Sequence, residues 1–257
     1  MTVRSICSED EATFLDRDET AVALDIETMD DLDEGIDDAP VLGYALTRFD
    51  PGALDDTMQT LVRLVDDLRE EDELLQRLFE DLRSFGDVTV TGHNVAFPDG
   101  FEHLDADGYD LPKLEARAAV HGIDASFLHD LATFDTMDVA GGHYRHSEDG
   151  TGRWMGLDEL TDRFGIEPPA KFITLGPDIR KLWRRDAFDR IMLYNAANAM
   201  VVARLVSIFR HQLDGCPGPD GSIGEELCEH VHGLTPIREL PAWNRLKGQT
   251  SFAGSDV

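Results

Sequence analysis

The sequence predicts an α/β fold, a mixed sheet covered by helices, and three observations predict it. Three strand-like segments separated by turn residues come first, then helical and strand-like segments alternate before a long apolar helix. The chain is 257 residues long and 42% hydrophobic, enough for one sizeable core. Its first apolar run, Ala21-Val-Ala-Leu-Asp25-Ile-Glu27-Thr28, reads as a strand, yet carries two acids where burial would favour apolar side chains.

Taken in order, residues 1–19 read as a polar lead-in, and the first strand covers about 20–27. An acidic loop from Asp30 to Pro40 follows, then a second strand from Val41 to Phe49 and a turn at Pro51-Gly52. The β-branched run Thr60 to Val65 is the third strand, which completes an antiparallel meander. From Glu71 to Phe85 the period changes: Leu74, Leu75, Leu78, Phe79, Leu82 and Phe85 recur at helical spacing and Gly86 stops the run. Val88 to Thr91 is a short buried strand. Leu111 to Val120 is a helix opened by Asp110 and Pro112 and closed by Gly122. Ala132 to Val139 reads as a fifth strand, Leu157 to Phe164 as a short helix, and Asp186 to about Gln212 as the long apolar helix. After Gly215 the Pro- and Gly-containing tail reads as irregular.

Acidic residues number 52 against 23 basic ones, a net charge of −29 spread along the whole chain. Such a balance in a chain with this much apolar content resembles a halophilic protein, because molar salt screens the self-repulsion within about 3 Å. The charge argues against nucleic acid at low salt, where phosphates must be neutralised; high salt weakens that argument. One local exception is the basic cluster Arg180, Lys181, Arg184, Arg185 and Arg190, which reads equally as a phosphate contact or a solvated helix face. Cys7, Cys216 and Cys228 are scattered and odd in number, so no disulfide framework is expected. A zinc site from Cys216, Cys228, His230 and His232 fits no recognised spacing. No leader pattern and no uninterrupted apolar run of about 18 residues is present, so the expected location is cytoplasmic.

Chemistry is concentrated at Asp25 and Glu27. Two residues apart on a strand, they project from one face, and two carboxylates so close raise each other's pKa unless a cation sits between them. Hard oxygen ligands favour Mg²⁺ or Mn²⁺, and a pair of such ions is the usual machinery for cleaving phosphodiesters.

The Asp25-Ile-Glu27 strand and the element order together resemble the DEDD, or DnaQ-like, 3′–5′ exonucleases, whose fold is ribonuclease-H-like. The resemblance is nearest to exonucleases related to the proofreading domain of family-B DNA polymerases, and it covers residues 20–212. In this reading the lead-in is 1–19, the exonuclease domain 20–212 and the irregular tail 213–257. The family's second motif, an acid opening a helix, is matched by Asp110 within Gly108-Tyr-Asp-Leu-Pro-Lys-Leu114. His93-Asn-Val-Ala-Phe-Pro-Asp99 resembles the motif's other form with one residue inserted, so Asp99 is a rival; Asp110 is preferred because a well-formed helix follows it. It is as though a dozen or so residues separated the strand end from the Asp-Leu-Pro helix. The third motif, Tyr-x-x-x-Asp, is met by Tyr194 and then by Asn198 in place of the acid.

What the resemblance implies is hydrolysis at the 3′ end of single-stranded nucleic acid, with two Mg²⁺ or Mn²⁺ ions held by Asp25, Glu27, Asp110 and Asn198 and water aligned by Tyr194. Asn198 removes one negative charge, which implies weaker turnover, a preference for Mn²⁺, or no turnover. The alternative is a catalytically inactive nucleic-acid-binding or scaffold protein on the same fold. Asp135 and Asp138 resemble a supporting segment, Phe97, Phe101 and Tyr109 are candidates for base stacking, and Leu157 to Ile166 reads as packing. Asp186 and Asp189 stand at the wrong spacing to replace Asn198, and His143 and His146 read as loop residues.

Overall fold

The computed structural model describes residues 20–29, 39–96, 109–144, 156–166, 179–214 and 235–249. The protein is α/β, with one five-stranded mixed sheet among the described residues. Its strands are β1 (Ala21–Thr28), β2 (Val41–Phe49), β3 (Gln59–Leu64), β4 (Thr89–Gly92) and β5 (Thr133–Asp135), in the order β3-β2-β1-β4-β5. The first three strands form the antiparallel meander, and β4 and β5 then add parallel to β1 and to each other. Parallel neighbours need a crossover, and the helices supply it.

Those helices are α1 (Leu54–Thr57), α2 (Glu71–Ser84), α3 (Asp110–Val120), α4 (Thr136–Tyr144), α5 (Leu157–Arg163), α6 (Ile179–Trp183), α7 (Phe188–Asp214) and α8 (Pro241–Gln249). Alternation along β1 assigns its two faces. Val22, Leu24 and Ile26 pack under α2 and α3, against Leu74, Leu75, Leu78, Leu82, Leu111 and Leu114. Ala21 and Ala23 face the other way, under α7, where Met200, Val201 and Phe209 are buried. Small side chains on this face let a long helix lie close over the sheet. Leu160, Phe164 and Ile166 join that second core, so the segment around α5 packs as expected.

A buried charge network ties the α2/α3 side together. Glu71 accepts from Val41 N at 2.8 Å, from Arg117 Nε at 2.8 Å and Nη2 at 2.6 Å, and from His121 Nε2 at 2.8 Å. Burial alone would raise the Glu71 carboxyl, but these bonds hold it below the usual range.

Two expectations are corrected. The fifth strand stops at Asp135 instead of reaching Val139, because Asp135 turns the chain: its Oδ1 accepts from Met137 N at 2.9 Å and α4 begins at once. The tail is not wholly irregular: Ile237–Glu239 forms a 3₁₀ turn and α8 follows, burying Ile237, Leu240 and Trp243 in the α7 core. Arg204 of α7, itself buried, donates to Thr235 O and anchors this segment. Finally, Phe188–Arg210 is long and apolar enough to cross a membrane by length and composition, but its apolar window is 89% buried inside the fold.

Candidate active site

The site forms where β1 and β4 end and α3 begins, the position at which parallel strands of α/β proteins commonly present ligands. Asp25 and Glu27 lie on the α7 face of β1, continuing the line of Ala21 and Ala23. The β1–β2 register shifts between Glu27 and Thr28, a bulge that ends regular pairing beside Glu27. Opposite Glu27 stands Gly43, where a Cβ would come within 2.6 Å of Arg63 O; only glycine fits there, and it puts no side chain across from the carboxylate.

Asp110 is brought to this point by a backbone clasp. The Asp135 carboxylate accepts from Asn94 N at 2.9 Å, Val95 N at 2.6 Å and Ala96 N at 3.2 Å, wrapping the loop after β4 around itself. Asn94 takes a left-handed φ of 77°, a conformation asparagine tolerates better than most residues. Its carbonyl then accepts from Tyr109 N at 2.7 Å and Asp110 N at 3.2 Å, and Val95 O accepts from Leu111 N at 3.1 Å. These carbonyls satisfy the first N–H groups of α3, and no side chain caps that end. Asp110 is therefore not the N-cap its sequence position suggests. It is the first helical residue, buried, and it feels Asp25 and Asp135. Tyr109, half-buried, is tied at its hydroxyl to Thr28 Oγ1 at 3.1 Å, joining the end of β1 to the start of α3.

The third wall is α7. Asn195 Nδ2 donates to Asp25 Oδ2 at 2.6 Å, and Asn198 Nδ2 approaches the same oxygen at 3.4 Å. Asn195, only 1% exposed and with its Oδ1 buried unpaired, is the residue that sequence reasoning missed. A signal existed: two asparagines three apart in an otherwise apolar helix share a face.

Electrostatics join the three walls. Burial pushes Asp25 up to about 7, with the Asn198 and Asn195 amides pulling it partly back. Glu27 is raised well above the carboxylate range by burial and then by Asp25, with Asp110 adding to it. Asp110 is raised by burial, then by Asp25 and Asp135. Burial, Glu27 and Asp25 push the Tyr194 hydroxyl up to about 12, against a hydrogen bond from Asn198, so it stays protonated at neutral pH.

Three carboxylates whose charged forms are disfavoured by burial and by one another, with no cation among the groups that shift them, are a donor set suited to a hard divalent ion. As they stand, however, no three His, Cys, Asp or Glu side chains among the described residues are gathered into a metal-holding group. Asp25 Oδ2 is turned instead toward the two asparagine amides.

Other sequence candidates fall elsewhere. Asp138 is exposed on α4, Asp186 is exposed at a left-handed turn with φ 53°, and Asp189 lies half-buried in the first turn of α7. His143 is in α4 and not in a loop. Asp99, Phe97, Phe101, His146 and the cysteine and histidine group of the tail, together with Cys7, lie outside the described residues. In the basic cluster, Arg180 Nη2 donates to Met29 O at 3.4 Å, two residues beyond Glu27. No protein-family model matches the chain, and no curated protein matches it.

Proposed function

We propose that the chain is a metal-dependent 3′–5′ exonuclease of the DEDD, ribonuclease-H-like kind, with a site weakened by Asn198, acting on single-stranded nucleic acid. The observation that carries this reading is that Asp25 raises the pKa of Glu27 beside it on β1, of Asp110 on α3 and of Tyr194 on α7, so that groups from three elements share one electrostatic site. The strand order, with an antiparallel meander extended by parallel strands, supports the same fold family.

Asp25, Glu27 and Asp110 would hold Mg²⁺ or Mn²⁺, two ions in the full arrangement, with Asn198 contributing its amide oxygen once the amide is turned. When bound, such ions supply the activation of water and the neutralisation of phosphate charge that phosphodiester hydrolysis requires. Tyr194, protonated at neutral pH, donates a hydrogen bond that aligns the attacking water; it is too weak an acid to serve as the base. The clasp around Asp135 holds the loop after β4, and through the Asn94 and Val95 carbonyls the start of α3 that bears Asp110. Water adds to phosphorus, the bond to the 3′ oxygen breaks and that oxygen takes up a proton, releasing a nucleoside monophosphate.

A second reading has its own observation. Asn198 presents an amide N–H to Asp25 where the family places a fourth acid, and Asn195 adds a second, which suits a protein that binds strands without cutting them.

The test uses purified protein, end-labelled single-stranded DNA and RNA, Mg²⁺ or Mn²⁺, and high salt. Progressive 3′ shortening that vanishes in Asp25→Ala is the expected result. Shortening that survives Asp25→Ala defeats the proposal, whereas shortening seen only in Asn198→Asp establishes the second reading.

A further inference from the structure

We infer that α6 and the turn after it form a docking surface for the phosphate backbone of single-stranded nucleic acid, beside the acidic site; the inference rests on the reading of that site as directed at a nucleic-acid end. The first observation is charge. In a chain of net −29, residues 180–190 hold five basic residues against two acidic ones. The second is place. Arg180 Nη2 donates to Met29 O at 3.4 Å, which sets the segment against the end of β1 that bears Asp25 and Glu27.

Direction follows from helix geometry. Arg184 N bonds Arg180 O at 3.0 Å, so the two arginines are one turn apart, about 6 Å along the axis, and share a face. Arg184 thus continues outward the row that Arg180 begins at Met29. Lys181, Arg184 and Arg185 are exposed, and the Arg184 and Arg185 guanidinium groups have no ion partner among the described residues. Two exposed arginines without an ion partner among the described residues are available to an outside anion.

The segment is also held in shape. Asp186 N bonds Trp183 O at 2.9 Å, Ala187 N bonds Leu182 O at 3.0 Å, and Trp183 packs edge-on against Phe188 with ring centroids 5.0 Å apart. Planar guanidinium groups on a fixed turn suit phosphate oxygens, which they grip in bidentate fashion, and such contacts are indifferent to base sequence. The strand therefore lies over α6 with its end toward Glu27. Because these contacts are made outside the acids, binding persists without divalent ions.

Binding of a fluorescent single-stranded oligonucleotide is followed by anisotropy in EDTA over a range of salt concentrations. Wild type is compared with Arg184→Ala/Arg185→Ala and with Arg69→Ala/Arg77→Ala, which removes the same charge from an exposed region elsewhere. The α6 pair is expected to bind more weakly, with a log–log salt slope less steep by about 1.4, two contacts at about 0.7 each, while the control pair matches wild type. An unchanged slope in the α6 pair overturns the inference, as do equal losses in the control pair, absence of binding by wild type, or equally effective displacement by polyglutamate. The 3′-shortening assay run alongside separates the two ideas. Arginine-dependent binding without shortening keeps the docking surface and defeats the nuclease, and Asp25-dependent shortening with arginine-independent binding does the reverse.

Discussion

Asp25→Asn should make the metal-free protein more stable at neutral and alkaline pH. Burial raises Asp25 from 3.8 to about 7, so the folded chain holds this proton more tightly than the unfolded chain. The resulting stabilisation is complete below pH 3.8 and is lost as pH rises through 7. A shift of about three units at 1.36 kcal/mol each gives a ceiling of about 4 kcal/mol for this one group. Glu27 and Asp110 move in the same direction and steepen the loss. Ordinary surface carboxylates are already ionised at pH 6, so they do not contribute in the window from about 6 to 8. The nine histidines do titrate there, but they are common to both proteins and cancel in the difference. The amide introduced by the substitution keeps an acceptor oxygen for Asn195 Nδ2. Guanidinium chloride unfolding of wild type and Asp25→Asn, in EDTA at half-unit steps from about pH 5 to 9, measures the difference. It should grow by up to about 1.4 kcal/mol per pH unit as the pH approaches 7 and level off above it. Mg²⁺ or Mn²⁺ should then restore wild type and leave the variant unmoved. Parallel stability curves for the two proteins across the whole range would show that Asp25 is well hydrated and that the acids do not strain one another.

Three other perturbations are open to measurement. Asn198→Asp adds a fourth carboxylate, so divalent-ion affinity measured by calorimetry should rise at least tenfold, while metal-free stability at pH 8 falls by roughly 1–3 kcal/mol. Asp135→Ala leaves four backbone N–H groups of the clasp without their acceptor and should cost about 2–4 kcal/mol in denaturant unfolding, with strand shortening lost even under conditions where the protein stays folded. Glu71→Gln uncouples the buried Arg117 and should cost about 3–5 kcal/mol near pH 7. Glu71 is held low in the folded chain, so its contribution is present above its unfolded pKa and lost as pH falls through the folded one. The gap between wild type and Glu71→Gln should therefore close on acidification below about pH 4.

Where a pattern is local, the sequence carried it. The leucine period of α2 and the apolar runs of β1 and β2, the second bounded by Pro51-Gly52, place those elements within a residue or so of their observed bounds. The strand expected over Ala132 to Val139 ends at Asp135, because β-branched composition says nothing about that residue, whose carboxylate starts a helix and holds a distant loop at once. α8 was missed although Pro241 is a good first helical residue. Its apolar residues matter only once Arg204 and the α7 core are there to receive them. At the site, Asp25, Glu27, Asp110, Tyr194 and Asn198 were readable as residue types in order. Asn195 stands outside the Tyr-x-x-x-Asp spacing, so only its place one turn before Asn198 on the same face of α7 pointed to its contact with Asp25. Nor could a motif reveal that Asp110 leaves capping to the Asn94 and Val95 carbonyls.

That last arrangement bears on how the protein can change. With Asn94 and Val95 bonded directly to Tyr109, Asp110 and Leu111, the two ends of the intervening stretch are pinned side by side by the backbone alone. Evolution or an engineer can therefore lengthen, shorten or swap the residues between them like an interchangeable cartridge, because the bonds that seat the start of α3 belong to the two ends alone.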